Sequence, residues 1–284
     1  MSLQIKMGLP LTFIQISDSH MRPSGAEWHS RVARVYEAIR AREPAPRFVL
    51  HTGDLLDDPA EEAVRAFRAQ FPASDLPLHV VPGNHDVWNA LVTGAGAPWW
   101  TRTTTQVDEQ QFRRWFGPTV YSVIYDECAL VAFNSQLLNT PLPEAEAQWD
   151  WLTAELARLH AQTLSHIILF THMPLFVRVP DENLDWSDWR NSYLVIAPPA
   201  RDRLLELIRL NHVTGYLCGH WHYPLQHIVR WSEDHSTSFV ICDASGPTSI
   251  MAQQQFDLPP RANRSLYCLH HVERSGMVTE FVLE

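Results

Sequence analysis

Between residues 11 and 210 the chain alternates short apolar, β-branched runs with longer segments of helical periodicity, and few folds satisfy that alternation. LTFIQIS (11–17), RFVLHT (47–52), LPLHVVP (76–82), VYSVIYD (120–126), ALVAFNS (129–135), HIILFTH (166–172), VTGYLCGH (213–220) and FVICDAS (239–245) have the length and composition of strands. Segments 27–43, 60–71, 143–161 and 199–210 carry helical spacing between them. The pattern predicts an α/β protein with a largely parallel sheet. Only strand-like runs follow residue 212, ending in LYCLHHVE and GMVTEFVLE, so a second, antiparallel sheet is expected there. Stretches 87–118 and 174–199, rich in Pro, Gly, Thr and aromatic residues, are expected as loop insertions in one domain spanning 1–284.

Composition narrows the partners. A chain of 284 residues with 45% hydrophobic side chains can bury a sizeable core. Its formal charge is −10, from 22 basic and 32 acidic side chains, so it has no global grip on nucleic acid and attraction for anions must be local. The four cysteines are widely spaced in apolar surroundings, as free buried thiols of a reducing compartment would be. No run approaches the ~20 apolar residues of a membrane span, and the N-terminal stretch lacks the pattern of a signal peptide. A cytoplasmic protein without membrane or nucleic-acid partners is expected, with its oligomeric state left open.

The strand-like runs share one peculiarity at their carboxyl ends. Asp18 and His20 follow LTFIQIS, Asp54 follows RFVLHT, Asn84 and His85 follow LPLHVVP, His172 closes HIILFTH, and His220 and His222 close VTGYLC. In open α/β sheets that edge gathers loops into a crevice, so five distant segments would deliver their side chains to one place. Residues i and i+2 share a side on extended backbone, which lets the two rings of His220-Trp221-His222 converge. Glycines at 53, 83 and 219 directly precede Asp54, Asn84 and His220, where sharp strand-to-loop turns are needed.

Setting His85 aside, two carboxylates, one carboxamide and four imidazoles without a thiolate form a borderline-to-hard donor set suited to Fe, Mn, Zn or Co. Seven donors exceed what one ion takes while keeping an open position, and the count favours two ions with a bridging carboxylate. The remaining polar candidates have plainer readings. Asp58 and Asp86 can cap or turn the chain; His51, His79, His166, His270 and His271 lie in predicted strands as structural residues; Trp99, Trp100, Trp186 and Trp189 either wall a pocket or seal local packing.

As a set, Asp18-Ser19-His20, Gly53-Asp54, Gly83-Asn84-His85-Asp86, His172 and Gly219-His220-Trp221-His222 resemble the blocks DxH, GD, GNH[DE], H and GHxH of the calcineurin-like metallophosphoesterases, in that order. Each block alone is weak; together they cover residues 18–222. The resemblance implies an α/β/β/α sandwich of four layers, two mixed sheets flanked by helices. It implies that Asp18, His20 and His222 hold one divalent ion, Asn84, His172 and His220 the other, and that Asp54 bridges them. Mn or Fe is expected first, then Zn or Co. It gives His85 contact with the phosphate and its leaving-group oxygen, and Asp57 the task of orienting that ring. The absence of DxxY separates the chain from the purple acid phosphatase branch.

Two divalent ions and two carboxylates leave about two positive charges in an otherwise acidic protein. A water held by both ions would lose a proton near neutral pH, and the resulting bridging hydroxide is the expected nucleophile toward phosphorus. The expected activity is hydrolysis of a small-molecule phosphoester, leaning toward diesters of the cyclic-nucleotide or glycerophosphodiester type. The alternative is a phosphomonoesterase or serine/threonine protein phosphatase, with a DNA nuclease or a non-catalytic metal-binding protein ranked lower.

Overall fold

The computed structural model describes residues 4–5, 10–24, 26–71, 76–87, 104–162, 164–261 and 263–283. The strands are β1 (Gln4–Ile5), β2 (Leu11–Ile16), β3 (Val49–His51), β4 (Leu78–Val80), β5 (Tyr121–Tyr125), β6 (Cys128–Ala132), β7 (His166–Phe170), β8 (Gly215–Cys218), β9 (Leu225–Arg230), β10 (Ser236–Ile241), β11 (Ser265–Glu273) and β12 (Gly276–Leu283). The helices are α1 (Ala26–Arg40), α2 (Glu61–Gln70), α3 (Gln106–Phe116), α4 (Pro143–His160), α5 (Trp189–Leu194), α6 (Ala200–Leu210) and α7 (Met251–Gln255).

The strands form a seven-stranded sheet, β1-β5-β6-β7-β8-β10-β9, and a five-stranded sheet, β12-β11-β2-β3-β4. Both are mixed: β6, β7, β8 and β10 run parallel, as do β2, β3 and β4, while β9, β11 and β12 pair antiparallel with their neighbours. Successive side chains of a strand point to opposite faces, and the core is layered accordingly. Phe13, Phe48, Leu50, Ile168, Phe170, Leu217 and Val240 pack between the sheets. Ile167 and Leu169 meet the inner faces of α4 and α6 through Leu152, Leu156, Leu204 and Ile208. Ile14, Ile16 and Val49 meet α1 and α2 through Val32, Val35, Val64 and Phe67. The result is the four-layer α/β/β/α order.

Three expectations need correction. Residues after 212 do not form a sheet of their own: β8 and β10 extend the parallel sheet, and β11 and β12 flank β2. Period-two alternation is the same in either sheet, so it cannot sort strands between them. That region is also not strand-only, since it contains α7. Finally, residues 106–116, inside the stretch expected as a loop, form α3, nucleated by a capping box in which Thr105 and Asp108 exchange side-chain and backbone bonds. Trp99 and Trp100 lie outside the described residues.

Candidate metal centre

The carboxyl ends of β2, β3, β7 and β8, with the turn after β4, bring together Asp18, His20, Asp54, Asn84, His172, His220 and His222, all buried. The backbone there is forced. Asp18 (φ 51°), His20 (45°), Asp54 (53°), His220 (72°) and His222 (51°) are five of the nine non-glycine residues with positive φ among those described. Such left-handed conformations cost free energy and persist where the surroundings over-determine them. Hydrogen bonds do so here: Asp18 N and His20 N donate to the carbonyls of Gly53 and Asp54, each at 3.0 Å, and the Asp86 carboxylate accepts from the backbone N–H of Leu55, Leu56 and Gly83 at 3.1, 2.9 and 2.8 Å. Asp86 is thus a backbone clamp for two of the loops.

Two groups of side chains face each other across Asp54. In the first, His222 Nε2 lies 3.2 Å from Asp18 Oδ1 and 3.1 Å from His20 Nε2. In the second, His172 Nε2 lies 3.0 Å from His220 Nδ1 and 3.1 Å from Asn84 Oδ1. Asp54 Oδ2 stands 3.6 Å from His20 Nε2 and 3.4 Å from His172 Nε2, so one oxygen serves both groups, while Oδ1 accepts from His85 N at 2.8 Å.

The tautomers show what these groups are built for. His222 Nδ1, His220 Nε2 and His172 Nδ1 lie 2.9, 2.7 and 2.8 Å from the carbonyl oxygens of Pro247, Tyr193 and Thr52. A carbonyl oxygen only accepts, so each of these nitrogens carries a hydrogen and, whenever the ring is neutral, its lone pair is on the inward nitrogen. Lone pairs 3.0 Å apart, on His172 Nε2 and His220 Nδ1, repel unless a positive charge lies between them. Two nitrogens bound at about 2.1 Å to one ion and subtending about a right angle are separated by about 3 Å. The carbonyls that hold the outer ring nitrogens, the inward nitrogens and Asp18 Oδ1, a buried oxygen without a hydrogen bond, therefore fit divalent cations.

Electrostatics agrees. Burial pushes the Asp18 carboxyl up, but the His222 imidazole more than offsets it and holds the pKa well below the usual range; Asp54 is held down in the same way, mainly by His172. Burial disfavours a charged His172, yet Asp54 beside it outweighs this and raises it to about 9, whereas burial and His172 lower His220 to about 3. Positive charge beside these carboxylates is thus favoured; on the rings it is a proton, and a cation held between them would take the proton's place and leave the imidazoles neutral.

His85 is placed at the edge of the cluster, its ring 4.6 Å from that of His20 and its Nδ1 2.8 Å from the carbonyl oxygen of Asp57. The Asp57 carboxylate points elsewhere: Oδ2 accepts from Arg22 Nε at 2.6 Å and Oδ1 lies 3.4 Å from His20 Nδ1. Asp57 therefore meets His85 through its main chain and His20 through its side chain. His85 and Asp57, with His20, also make a third set of ligand-type atoms within 4.8 Å of one another.

A cavity of about 500 Å³ opens over the centre. Arg22, Asp57, Asp58 and His85 give its lining charge and polarity, and Leu194, Trp221, Met251 and Ala252, with Tyr193, give it apolar surface. Trp186 instead lies under the Arg201 guanidinium, 5.2 Å away, and Trp189 is 39% exposed on α5. The strand histidines are held by structural partners, among them Ser19 for His51, Tyr125 for His79 and Thr214 for His166. Sequence reasoning missed Tyr193 and Arg22. Arg22 carried a faint signal, two residues past the DSH block; Tyr193 carried none.

Comparison with known proteins points the same way. Residues 11–224 match the family described as calcineurin-like phosphoesterase. The serine/threonine-protein phosphatase CPPED1 of Danio rerio is 28% identical over 75% of this chain and 70% of its own length, and human CPPED1 is matched over 61% of its length. The 3',5'-cyclic adenosine monophosphate phosphodiesterase CpdA of Escherichia coli is 26% identical over 75% of this chain and 70% of its own length. In fold, the chain superposes on a dimetal phosphatase from Danio rerio with a TM-score of 0.59 at 12% identity, covering 97% of this chain and 100% of the other. Among the described residues no helix is long and apolar enough to cross a membrane. With its strand ends, its paired donor groups and these relatives in agreement, the chain belongs to the calcineurin-like phosphoesterases and is a metal-dependent phosphoester hydrolase.

Proposed function

We propose that the protein is a binuclear phosphoesterase that prefers diesters, of the cyclic-nucleotide or glycerophosphodiester kind. The observation that carries the binuclear reading is the position of Asp54 Oδ2, within 3.6 Å of an inward nitrogen of each donor group. Asp18, His20 and His222 would hold one ion, Asn84, His172 and His220 the other, with Asp54 between them; Mn or Fe suits this donor set, and Zn or Co comes next. Bound there, the ions would polarise a phosphoryl oxygen and bring the pKa of a coordinated water toward ~7.

The rest falls to the chain's own side chains. His85 projects into the cavity with Nδ1 committed to the Asp57 carbonyl, so only Nε2 can meet the substrate. To donate to a phosphoryl or leaving-group oxygen, Nε2 must also carry a proton; the anionic substrate favours that form, and the proton can then pass to the departing alkoxide. The apolar lining residues Leu194, Met251 and Ala252 receive an ester substituent and keep water from it.

The cavity's charge supports a diester. A monoester dianion gains from cations beyond the metal ions, but Arg22 is already paired with Asp57 at 2.6 Å and Asp58 lies beside them. A diester monoanion asks for less positive charge and uses the apolar part of the lining. Phosphomonoesterase action, on phosphoprotein or small molecules, is the second reading, favoured by the likeness to CPPED1. All four cysteines are free and buried, in keeping with a reducing cytoplasm.

The deciding experiment strips the protein of metal, reloads it with Mn, Fe, Zn or Co, and compares rates on bis(p-nitrophenyl) phosphate and p-nitrophenyl phosphate. A higher kcat/KM on the diester is expected; the reverse ratio would establish the monoesterase, and no turnover of either would remove the enzymatic reading.

A further inference from the structure

The stretch 174–199 reaches into the metal centre through α5. Asp188 caps this short helix by accepting from Arg190 N at 3.1 Å, and Gln255 Nε2 ties it to α7 by donating to Asp188 Oδ2 and Asn191 Oδ1, each at 3.0 Å. Its last two residues then meet three side chains at or beside the site. The Tyr193 carbonyl accepts from His220 Nε2 at 2.7 Å, the Tyr193 hydroxyl accepts from Asn84 Nδ2 at 3.3 Å, and the Leu194 carbonyl accepts from Trp221 Nε1 at 2.8 Å. The Tyr193 ring also packs on the His220 ring, with centroids 5.0 Å apart.

We propose that Tyr193 is a positioning residue for the Asn84–His172–His220 group, and that its hydroxyl sets the affinity of this half of the centre for a divalent cation by orienting the Asn84 carboxamide. The inference rests on the binuclear reading above. A carboxamide has two unlike ends: the oxygen can ligate a cation, whereas the NH2 end repels one. The two ends are almost the same shape, so packing hardly distinguishes them. On the far side the Tyr193 hydroxyl oxygen holds the NH2 end by accepting from Nδ2, while Oδ1 is turned inward, 3.1 Å from His172 Nε2. Asn84 is only 9% exposed, so water replaces that acceptor poorly when the hydroxyl is removed. Half a turn of the amide then presents hydrogens to the ion. The hydroxyl contacts Asn84, on one side of Asp54, so its loss is directed at one ion and not both.

The test uses Mn2+ as probe, titrated calorimetrically into metal-stripped protein with the bound ions counted by elemental analysis. Wild type should take up two ions. Tyr193→Phe, which keeps the ring and main-chain contacts, should bind one ion as before and the other 10–100-fold more weakly, the range typical for outer-sphere partners of metal ligands. The thermal midpoint of the metal-stripped variant should stay at the wild-type value, which separates positioning from a loss of packing. A second arm uses Asn84→Asp: a carboxylate presents an oxygen whichever way it turns, so adding Tyr193→Phe to it should change Mn2+ affinity little. Unchanged affinity for both ions in Tyr193→Phe, or an equal loss in the Asn84→Asp background, would overturn the proposal. Wild-type protein that takes up no pair of ions would instead bring down the binuclear reading on which it stands.

Discussion

His85 Nδ1 lies 2.8 Å from the carbonyl oxygen of Asp57, so the ring is oriented by the main chain and Nε2 is the atom that would meet a substrate. Its backbone N–H is also tied to the centre, donating to Asp54 Oδ1 at 2.8 Å. His85→Asn keeps that main-chain bond and removes the proton donor. It should retain both ions while losing ~10²–10⁴ in turnover on alkyl phosphoesters, whose leaving groups need protonation most. Metal content and kcat, measured on the same preparation, check this; a parallel loss of metal would show that the imidazole is a ligand.

Asp54 is expected to serve both ions through one oxygen, whereas His222 faces only one group. Asp54→Ala should therefore lower metal content from two ions toward none, and His222→Ala from two toward one. Elemental analysis after dialysis against buffer containing trace Mn2+ distinguishes these outcomes. Chelation of wild type should lower its thermal midpoint, by the equivalent of about 2.7 kcal/mol for each ion if metal had been present at a hundred times that site's Kd.

Gly219 has no room for a side chain. A Cβ there would sit 1.8 Å from Ser17 Oγ and 2.5 Å from Asp18 Oδ2. Gly219→Ala must push the two sheets' loops apart at the metal centre, with a cost of roughly 1–3 kcal/mol for overpacking and weaker binding of the ion near Asp18. Chemical denaturation of metal-free protein gives the first quantity and Mn2+ titration the second.

Away from the site, His270 is completely buried against Phe13, with its ring nitrogens 3.1 and 2.9 Å from Gln15 Oε1 and Thr279 Oγ1. Burial lowers its pKa to about 3 in the folded protein, against about 6.5 in an unfolded chain. Between those values the unfolded state binds the extra proton, so stability rises with pH. The contribution is complete above about pH 6.5 and is lost as pH falls toward 3, at up to about 1.4 kcal/mol per pH unit. His270→Asn should have a shallower decline between pH 7 and 5 in urea denaturation than wild type; an equal slope would mean that His270 takes up its proton without unfolding.

The site was largely legible in the chain because its donors are rare types placed at the ends of apolar runs, and strand direction alone puts them on one edge. Asp18, Asp54, His172 and His220 could be assembled on that ground. Less local relationships were not readable. The contact between Asn84 and Tyr193 spans 109 residues of sequence, and no periodicity marks it. The Asp57 carboxylate could equally have served His85; its choice of Arg22 and His20 depends on how the turn after β3 lies against the one after β2. Strand sorting failed for the same reason: LYCLHHVE has the alternation of a strand in either sheet, and only packing against β2 assigned it.

Residue chemistry and the periods of two and 3.6 were enough to determine the class of fold, the sheet edge at which the polar donors gather and that those donors suit a divalent cation. Tertiary structure alone decided which strands became neighbours, which carboxylate oxygen faces both donor groups, and which main-chain carbonyls hold each imidazole with its lone pair inward. Those outcomes depend on contacts between residues far apart along the chain, where geometry within an ångström decides whether a donor meets an acceptor, a cation or another lone pair.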